Sequence, residues 1–97
     1  MDVLTEEHAR GVVEQQMRKL EAQEDLILQV TEAISVVMEQ KGVTKADLAK
    51  RMGRSKGFIS QCLAGGHNLT LRTIADIAAA LDVSCALNLA EKKGRPL

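Results

Sequence analysis

Aromatic side chains are almost absent from this sequence. It contains no tryptophan or tyrosine, and Phe58 is its single phenylalanine. Proteins that bind single-stranded nucleic acids commonly stack the bases on aromatic rings. Because this chain offers one ring, that mode of binding is nearly excluded.

Cysteines and long apolar runs are also scarce. Cys62 and Cys85 are the only two cysteines, and their spacing is not that of a zinc site. We expect both to be reduced packing residues in a cytoplasmic protein. No apolar stretch approaches the roughly 20 residues of a membrane-spanning helix, and the acidic start, MDVLTEEHAR, is unlike a signal peptide.

The sequence also lacks the residue patterns of catalysis. There is no paired acid and base, metal-ligand cluster, phosphate-binding loop or nucleophile arrangement. We therefore expect no enzyme activity, no metal and no cofactor.

The formal net charge is zero, but the charges are unevenly distributed. Residues 1–40 carry nine acidic and three basic side chains, a balance of −6, and residues 41–97 carry ten basic and four acidic ones, a balance of +6. Six of those bases lie between Lys41 and Lys56. Phosphates respond to local charge, so this cluster favours a nucleic-acid partner. The alternative is an ordinary solvated helical face.

The chain is organised around residues 44–63, which are predicted to form two short helices joined by a tight turn at Gly53. Glycine takes the positive φ of such a turn without steric cost. Thr44 and Ser55 stand where N-cap hydroxyls accept from first-turn N–H groups, and Thr44 with Asp47 resembles a capping box. Apolar residues recur at helical spacing on both sides of the turn: Leu48, Ala49, Met52, Ile59, Cys62 and Leu63.

Apolar stripes predict three further helices. The first runs from Thr5 to about residue 22, the second covers about residues 25–40, and the last runs from Thr70 to about residue 81. Because no proline separates the first two helices, a single continuous helix is the alternative prediction. The first helix has a narrow stripe that must be covered by its own domain, a second copy or another protein: Ala9, Val13, Met17 and Leu20.

The pattern changes after the last helix. Val83, Cys85, Leu87 and Leu89 alternate with other residues, which predicts a β-strand. A lone strand needs a partner, and the same strand of a second copy would supply one across a twofold axis. The alternative is a short extended tail on the core. Residues 92–97 are expected to be a flexible basic tail.

With these elements placed, residues 25–89 resemble the lambda-repressor-like, Xre/Cro-type helix-turn-helix family. The residues that carry the resemblance are Gly42-Val43-Thr44, Asp47-Leu48-Ala49, Met52-Gly53, Ser55, Phe58-Ile59-Ser60-Gln61, Leu63, Gly65, Asn68-Leu69-Thr70-Leu71, Ile74-Ala75, Ile77-Ala78 and Ala80-Leu81. The trailing strand is also similar to that of the HigA-type antitoxin branch.

The resemblance implies an all-α, lambda-repressor-like fold with a four-helix DNA-binding core and a helix-turn-helix. The apolar pattern adds an N-terminal helix, which matches no motif of the family, and a short C-terminal β-strand that would pair across a dimer. The predicted division is an N-terminal amphipathic helix at 1–23, the DNA-binding domain at 24–82, a dimerisation strand at 83–90 and a basic tail at 91–97.

The resemblance also implies that the helix at residues 55–63 enters the major groove of duplex DNA. Gln61 can bind adenine with both amide atoms and Lys56 can donate to guanine, whereas Ser60 fits a base or a phosphate. Gly57 offers no side chain for reading bases, and Phe58 is expected to pack rather than intercalate. The residues expected at phosphates, or as loop contacts, are Lys45, Arg54, Ser55, Arg72, His67 and Asn68.

Two functions compatible with this fold differ in their partners. The first is a transcriptional repressor that binds a palindromic operator as a homodimer. The second is an antitoxin, which neutralises a toxin protein and uses DNA binding for autoregulation. The narrow stripe of the first helix and the tail strand are the features that favour the second function.

Overall fold

Four helices make up the described part of the chain. The structure is a computed structural model that describes residues 6–66 and 69–91, with side chains from residue 9 onward. The helices are α1 (Glu6–Lys41), α2 (Lys45–Met52), α3 (Lys56–Leu63) and α4 (Leu71–Ala80). The prediction of a helical domain with a helix-turn-helix is therefore confirmed. The described residues form four helices, whereas the sequence predicted five.

The missing boundary lies in α1, which is one helix of 36 residues. The prediction of separate helices at residues 5–22 and 25–40 is wrong, and the continuous alternative is correct. Ala22, Gln23 and Glu24 at the proposed break are favourable helix formers. At 1.5 Å per residue, α1 extends about 54 Å. The proposed cap at Thr5 lies outside the described residues.

The core forms where the second half of α1 meets the three short helices. Ile34 and Met38 of α1 pack with apolar residues of all three. Five side chains are almost completely hidden from solvent: Leu48, Ile59, Ile77, Leu81 and Cys62. Burying an isoleucine or leucine contributes about 1.5–3 kcal/mol. These contacts set the angle between α2 and α3.

The first half of α1 takes no part in this core. Every side chain in residues 9–25, here called the arm, is exposed. Val13, Met17 and Leu20 leave 58%, 53% and 53% of their surfaces open to solvent. The structure thus excludes one of the three predicted coverings of the stripe, because the arm does not dock on its own domain.

No strand occurs at residues 83–91 or elsewhere in the described ranges. Val83 packs on the core, and the residues from Ser84 to Glu91 are exposed without regular structure. The predicted strand at 83–90 is therefore not found in this chain, despite its alternating pattern. A strand needs a second strand for its N–H and C=O groups, and the described residues of one chain supply none.

A glycine holds the loop after α3 against α1. Gly65 has a φ of +82°, and a Cβ built there would lie 2.7 Å from Cγ2 of Ile27. Gly53 has a similar φ of +65°, but a Cβ there would meet nothing within 4 Å. The backbone therefore requires glycine at both positions, and packing against α1 requires it only at Gly65.

We expect Gly65→Ala to destabilise the fold more than Gly53→Ala does. The strained φ alone costs about 1–2 kcal/mol, and the contact with Ile27 adds roughly 1–3 kcal/mol of overpacking. Urea unfolding followed by circular dichroism measures both losses. In an Ile27→Ala background, the methyl group that Gly65→Ala adds has room. The losses of unfolding free energy from Ile27→Ala and Gly65→Ala should therefore be less than additive. Equal losses for the two glycine variants would contradict this packing.

Candidate nucleic-acid interface

The turn between α2 and α3 has the geometry that the sequence predicts. Gly53 is left-handed, with φ 65° and ψ 34°, and its N–H donates to the carbonyls of Ala49 and Lys50. The N–H of Arg54 donates to Ala49 as well, at 2.9 Å. These bonds satisfy carbonyls that the end of α2 would otherwise leave unpaired. The turn is thereby closed immediately before α3 begins.

A capping box fixes the start of α2. The Thr44 hydroxyl accepts from the N–H of Asp47, and the Asp47 carboxylate accepts from the N–H of Thr44, each at 3.0 Å. The backbone bond from Thr44, followed by its side-chain bond, lowers the pKa of Asp47. The pKa of Asp47 is thus lower in the folded protein than in the unfolded chain. The stability that its carboxylate contributes is therefore present above the unfolded pKa, and it is lost as the pH falls through the folded pKa. The predicted capping box is confirmed.

Ser55 is the N-cap of α3. Its hydroxyl oxygen accepts from the N–H of Phe58 at 3.0 Å. The hydroxyl proton of Ser55 is still able to donate to an outside acceptor. The predicted cap is confirmed, and the contact with a phosphate stays a prediction.

The two sides of α3 differ sharply in exposure. Ile59 and Cys62 have no exposed surface, and Leu63 is partly buried against the core. Burial raises the pKa of the Cys62 thiol, which agrees with a packing role. On the other side, Lys56, Gly57 and Gln61 are exposed. Ser60 is half-buried, so it is less accessible than the sequence suggested.

Arg54 and Phe58 form a contact that the sequence did not predict. The guanidinium carbon of Arg54 lies 4.2 Å from the centroid of the Phe58 ring, the geometry of a cation–π interaction. Phe58 is half-buried and packs on the core, as expected of a residue that does not intercalate. Arg54 is itself exposed. Its positive charge is therefore held beside the first turn of α3.

The other predicted phosphate contacts lie at helix starts. Lys45 is the first residue of α2 and Arg72 is the second residue of α4, and both are exposed. Helix N-termini carry partial positive charge and unpaired N–H groups, which suit anions. Thr70 caps α4 by accepting from the N–H of Thr73 at 3.2 Å. His67 and Asn68 lie outside the described residues.

Sequence reasoning assigned no role to Arg51, although it belongs to the basic cluster. Its Nη1 donates to the carbonyl oxygen of Ala80 at 3.0 Å. Ala80 ends α4, where carbonyls lack helical partners, so Arg51 ties the end of α2 to the end of α4. No local sequence signal marks this bond, because its partners are 29 residues apart.

Neither a metal cluster nor a membrane span appears in the part of the chain that the structure describes. Its histidine, cysteine, aspartate and glutamate residues form no group of three or more that could hold a metal ion. None of its helices is long and apolar enough to cross a membrane. Both cysteines, Cys62 and Cys85, are free thiols there.

The chain matches a known protein family. The family model of the Cro/C1-type HTH DNA-binding domain matches residues 33–86, which is more than half of the chain. Comparison with curated proteins and with solved structures gave no significant match. The matched span contains all of α2, α3 and α4 and begins within α1. The arm lies outside it.

Proposed function

The chain belongs to the family of Cro/C1-type helix-turn-helix DNA-binding domains, and from this membership we propose that it is a sequence-specific transcriptional repressor that reads the major groove with α3. The observation that carries the proposal is the contrast on α3. Ile59 and Cys62 have no exposed surface, whereas Lys56 and Gln61 are open to solvent. The buried side fixes the helix, and the polar side faces solvent, from which base edges would approach.

The exposed residues divide into two groups by what they can bind. Gln61 can pair with adenine N6 and N7, and Lys56 can donate to guanine N7 or O6, which distinguishes bases. Ser60 reaches a base or a phosphate only from a half-buried position. The side chains assigned to phosphates fix the register of the protein on DNA without reading sequence: Lys45, Arg54, Ser55 and Arg72.

One short recognition helix covers few base pairs, so the proposal includes a homodimer on a palindromic operator. We expect binding selection from random duplexes to return inverted repeats whose half-site centres lie about one helical turn, roughly 34 Å, apart. Repeating the selection at two salt concentrations reports the number of phosphate contacts. Recovery of single half-sites or of direct repeats would contradict the palindrome.

Replacing a base-reading and a phosphate-binding residue should have different consequences. Gln61→Ala is expected to cost about 1–3 kcal/mol at one base position and little on random duplexes, because it removes a base contact. Lys45→Ala should weaken specific and random duplexes alike and reduce the salt slope by about 1. Fluorescence anisotropy on both duplexes measures the two effects.

The matched controls are Gln15→Ala and Lys19→Ala, which remove the same side-chain types from the exposed arm. Neither should change DNA affinity. Equal losses from Gln61→Ala and Lys45→Ala on both kinds of duplex would contradict the division between base and phosphate contacts.

Gly57 offers a test in which stability and binding move in opposite directions. A Cβ there would meet only the Ser55 hydroxyl oxygen, at 3.8 Å, so the fold accepts alanine. Gly57→Ala should stabilise α3 by about 0.5–1 kcal/mol. We propose that glycine lets the DNA approach the α3 backbone closely, so the same variant should bind the operator more weakly.

Thermal unfolding and anisotropy together measure this pair of changes. Gly11→Ala is the control, because a Cβ at Gly11 would meet nothing within 4 Å and Gly11 lies on the arm. It should stabilise α1 and leave operator affinity unchanged. Unchanged or tighter binding by Gly57→Ala would overturn the proposed role of Gly57.

The antitoxin is the second candidate function, and the exposed apolar face of the arm favours it. A partner protein would have to cover Val13, Met17 and Leu20. A toxin-sized reading frame beside the gene would support this candidate. Purification of the protein alone at full stability, with no such neighbour, would count against it.

A further inference from the structure

The arm continues a face of α1 that the DNA-binding domain covers farther along the helix. Val13, Leu20, Ile27 and Ile34 are spaced by seven residues, which is close to two helical turns. They therefore lie in one column along α1. Ile34 is buried in the core, and Ile27 touches the loop at Gly65. Val13 and Leu20 are more than half exposed.

We propose that the arm pairs in antiparallel orientation with the arm of a second copy of this chain. The apolar residues of the column are those that a helix partner would cover, as in coiled-coil seams. Met17 lies beside the column, and Gly11 and Arg18 lie on the opposite side. Pairing buries Val13, Met17 and Leu20 while these opposite residues stay in water.

The position of the domain decides the orientation. It covers the column from Ile27 onward, on the same side of α1 that the arms would use. In a parallel pair, the two domains would lie at the same position along the paired helices and on the faces where the helices meet, so they would collide. In an antiparallel pair they lie at opposite ends. Residues 9–25 of both copies lie on the side of α1 before Ile27, where the domain first covers the column.

The charges of the arm suit the same orientation. An antiparallel pair centred near Met17 brings Val13 against the partner's Leu20 and Arg10 beside the partner's Glu24, because each pair of positions is almost symmetric about residue 17. Arg10 and Glu24 lie on the same flank of the column. In an antiparallel pair, this flank faces the same flank of the partner helix. Within one chain these residues are 14 positions, or about 21 Å, apart and cannot meet.

Pairing of the arms associates two copies without any contribution from DNA. It supplies the dimer that the proposed function needs, through a surface other than the tail strand. Its test is performed without DNA, so failure of the arm pairing and failure of DNA recognition are separate results.

Charge reversal in the full-length protein tests the pairing. Sedimentation equilibrium should show that Arg10→Glu and Glu24→Arg each weaken dimerisation by about tenfold, because each change turns two attractive contacts into repulsive ones. The double variant Arg10→Glu/Glu24→Arg should restore the dimer, since the opposite charges again face each other across the pair. Leu20→Asp, which places a charge in the apolar contact, should abolish the dimer.

The matched control is Arg18→Glu/Asp25→Arg, which reverses the same charge types on the outward side of the helix. It should dimerise like the unaltered protein, and circular dichroism verifies that every variant keeps its helices. Either of two results would overturn the proposal: a monomeric unaltered protein at concentrations where it binds duplex DNA, or a dimer that neither single reversal weakens. Failure of the double variant to recover would overturn the antiparallel register.

Discussion

The complete burial of Ile59 fixes how α3 sits against the other helices. Its side chain fills the space between α2, α3 and α4 together with Leu48 and Ile77, and none of the three has exposed surface. Protein interiors are close-packed, so a helix anchored in this way cannot rotate about its axis without opening a void. The orientation of α3 follows, and with it the exposure of Lys56 and Gln61 on the opposite side.

Local chemistry explains which features of the fold could be predicted. The capping bonds of Thr44, Ser55 and Thr70 join residues three positions apart, and the turn needs one positive φ, which Gly53 supplies. All the residues that each of these features requires lie within a few positions of one another, so the sequence alone reveals them. The inward side of α3 was also predictable, because helical spacing alone separates Ile59 and Cys62 from Lys56 and Gln61.

Three features of the structure differ from what the sequence predicts, and the first two depend on groups that are distant in sequence or absent. Arg51 bonds to a carbonyl 29 residues away, and that partner is set by how α2 packs on α4. The strand prediction relied on alternation at residues 83–89, but a strand forms only where another strand pairs with it. The break predicted in α1 failed for a different reason, since nothing at residues 22–25 interrupts a helix.

The molecule combines a domain of a known DNA-binding family with a helical extension that the family match does not include. The domain contains α3, for which we propose the reading role, and the arm carries apolar residues that its own domain does not cover. Continuity of α1 links the two parts, because the same helix contributes Ile34 to the core and Leu20 to the exposed face. Our two proposals, DNA recognition by α3 and association between copies through the arm, therefore concern separate surfaces of one chain.

We infer that α3 is the surface presented to duplex DNA. Amide chemical-shift mapping tests it most directly, by titrating isotope-labelled protein with a duplex obtained from binding selection. If α3 binds the duplex, the largest changes occur at Lys45 and at residues 55–61, with small changes throughout the arm. Large changes in the arm or at residues 83–91, with α3 unaffected, would contradict it.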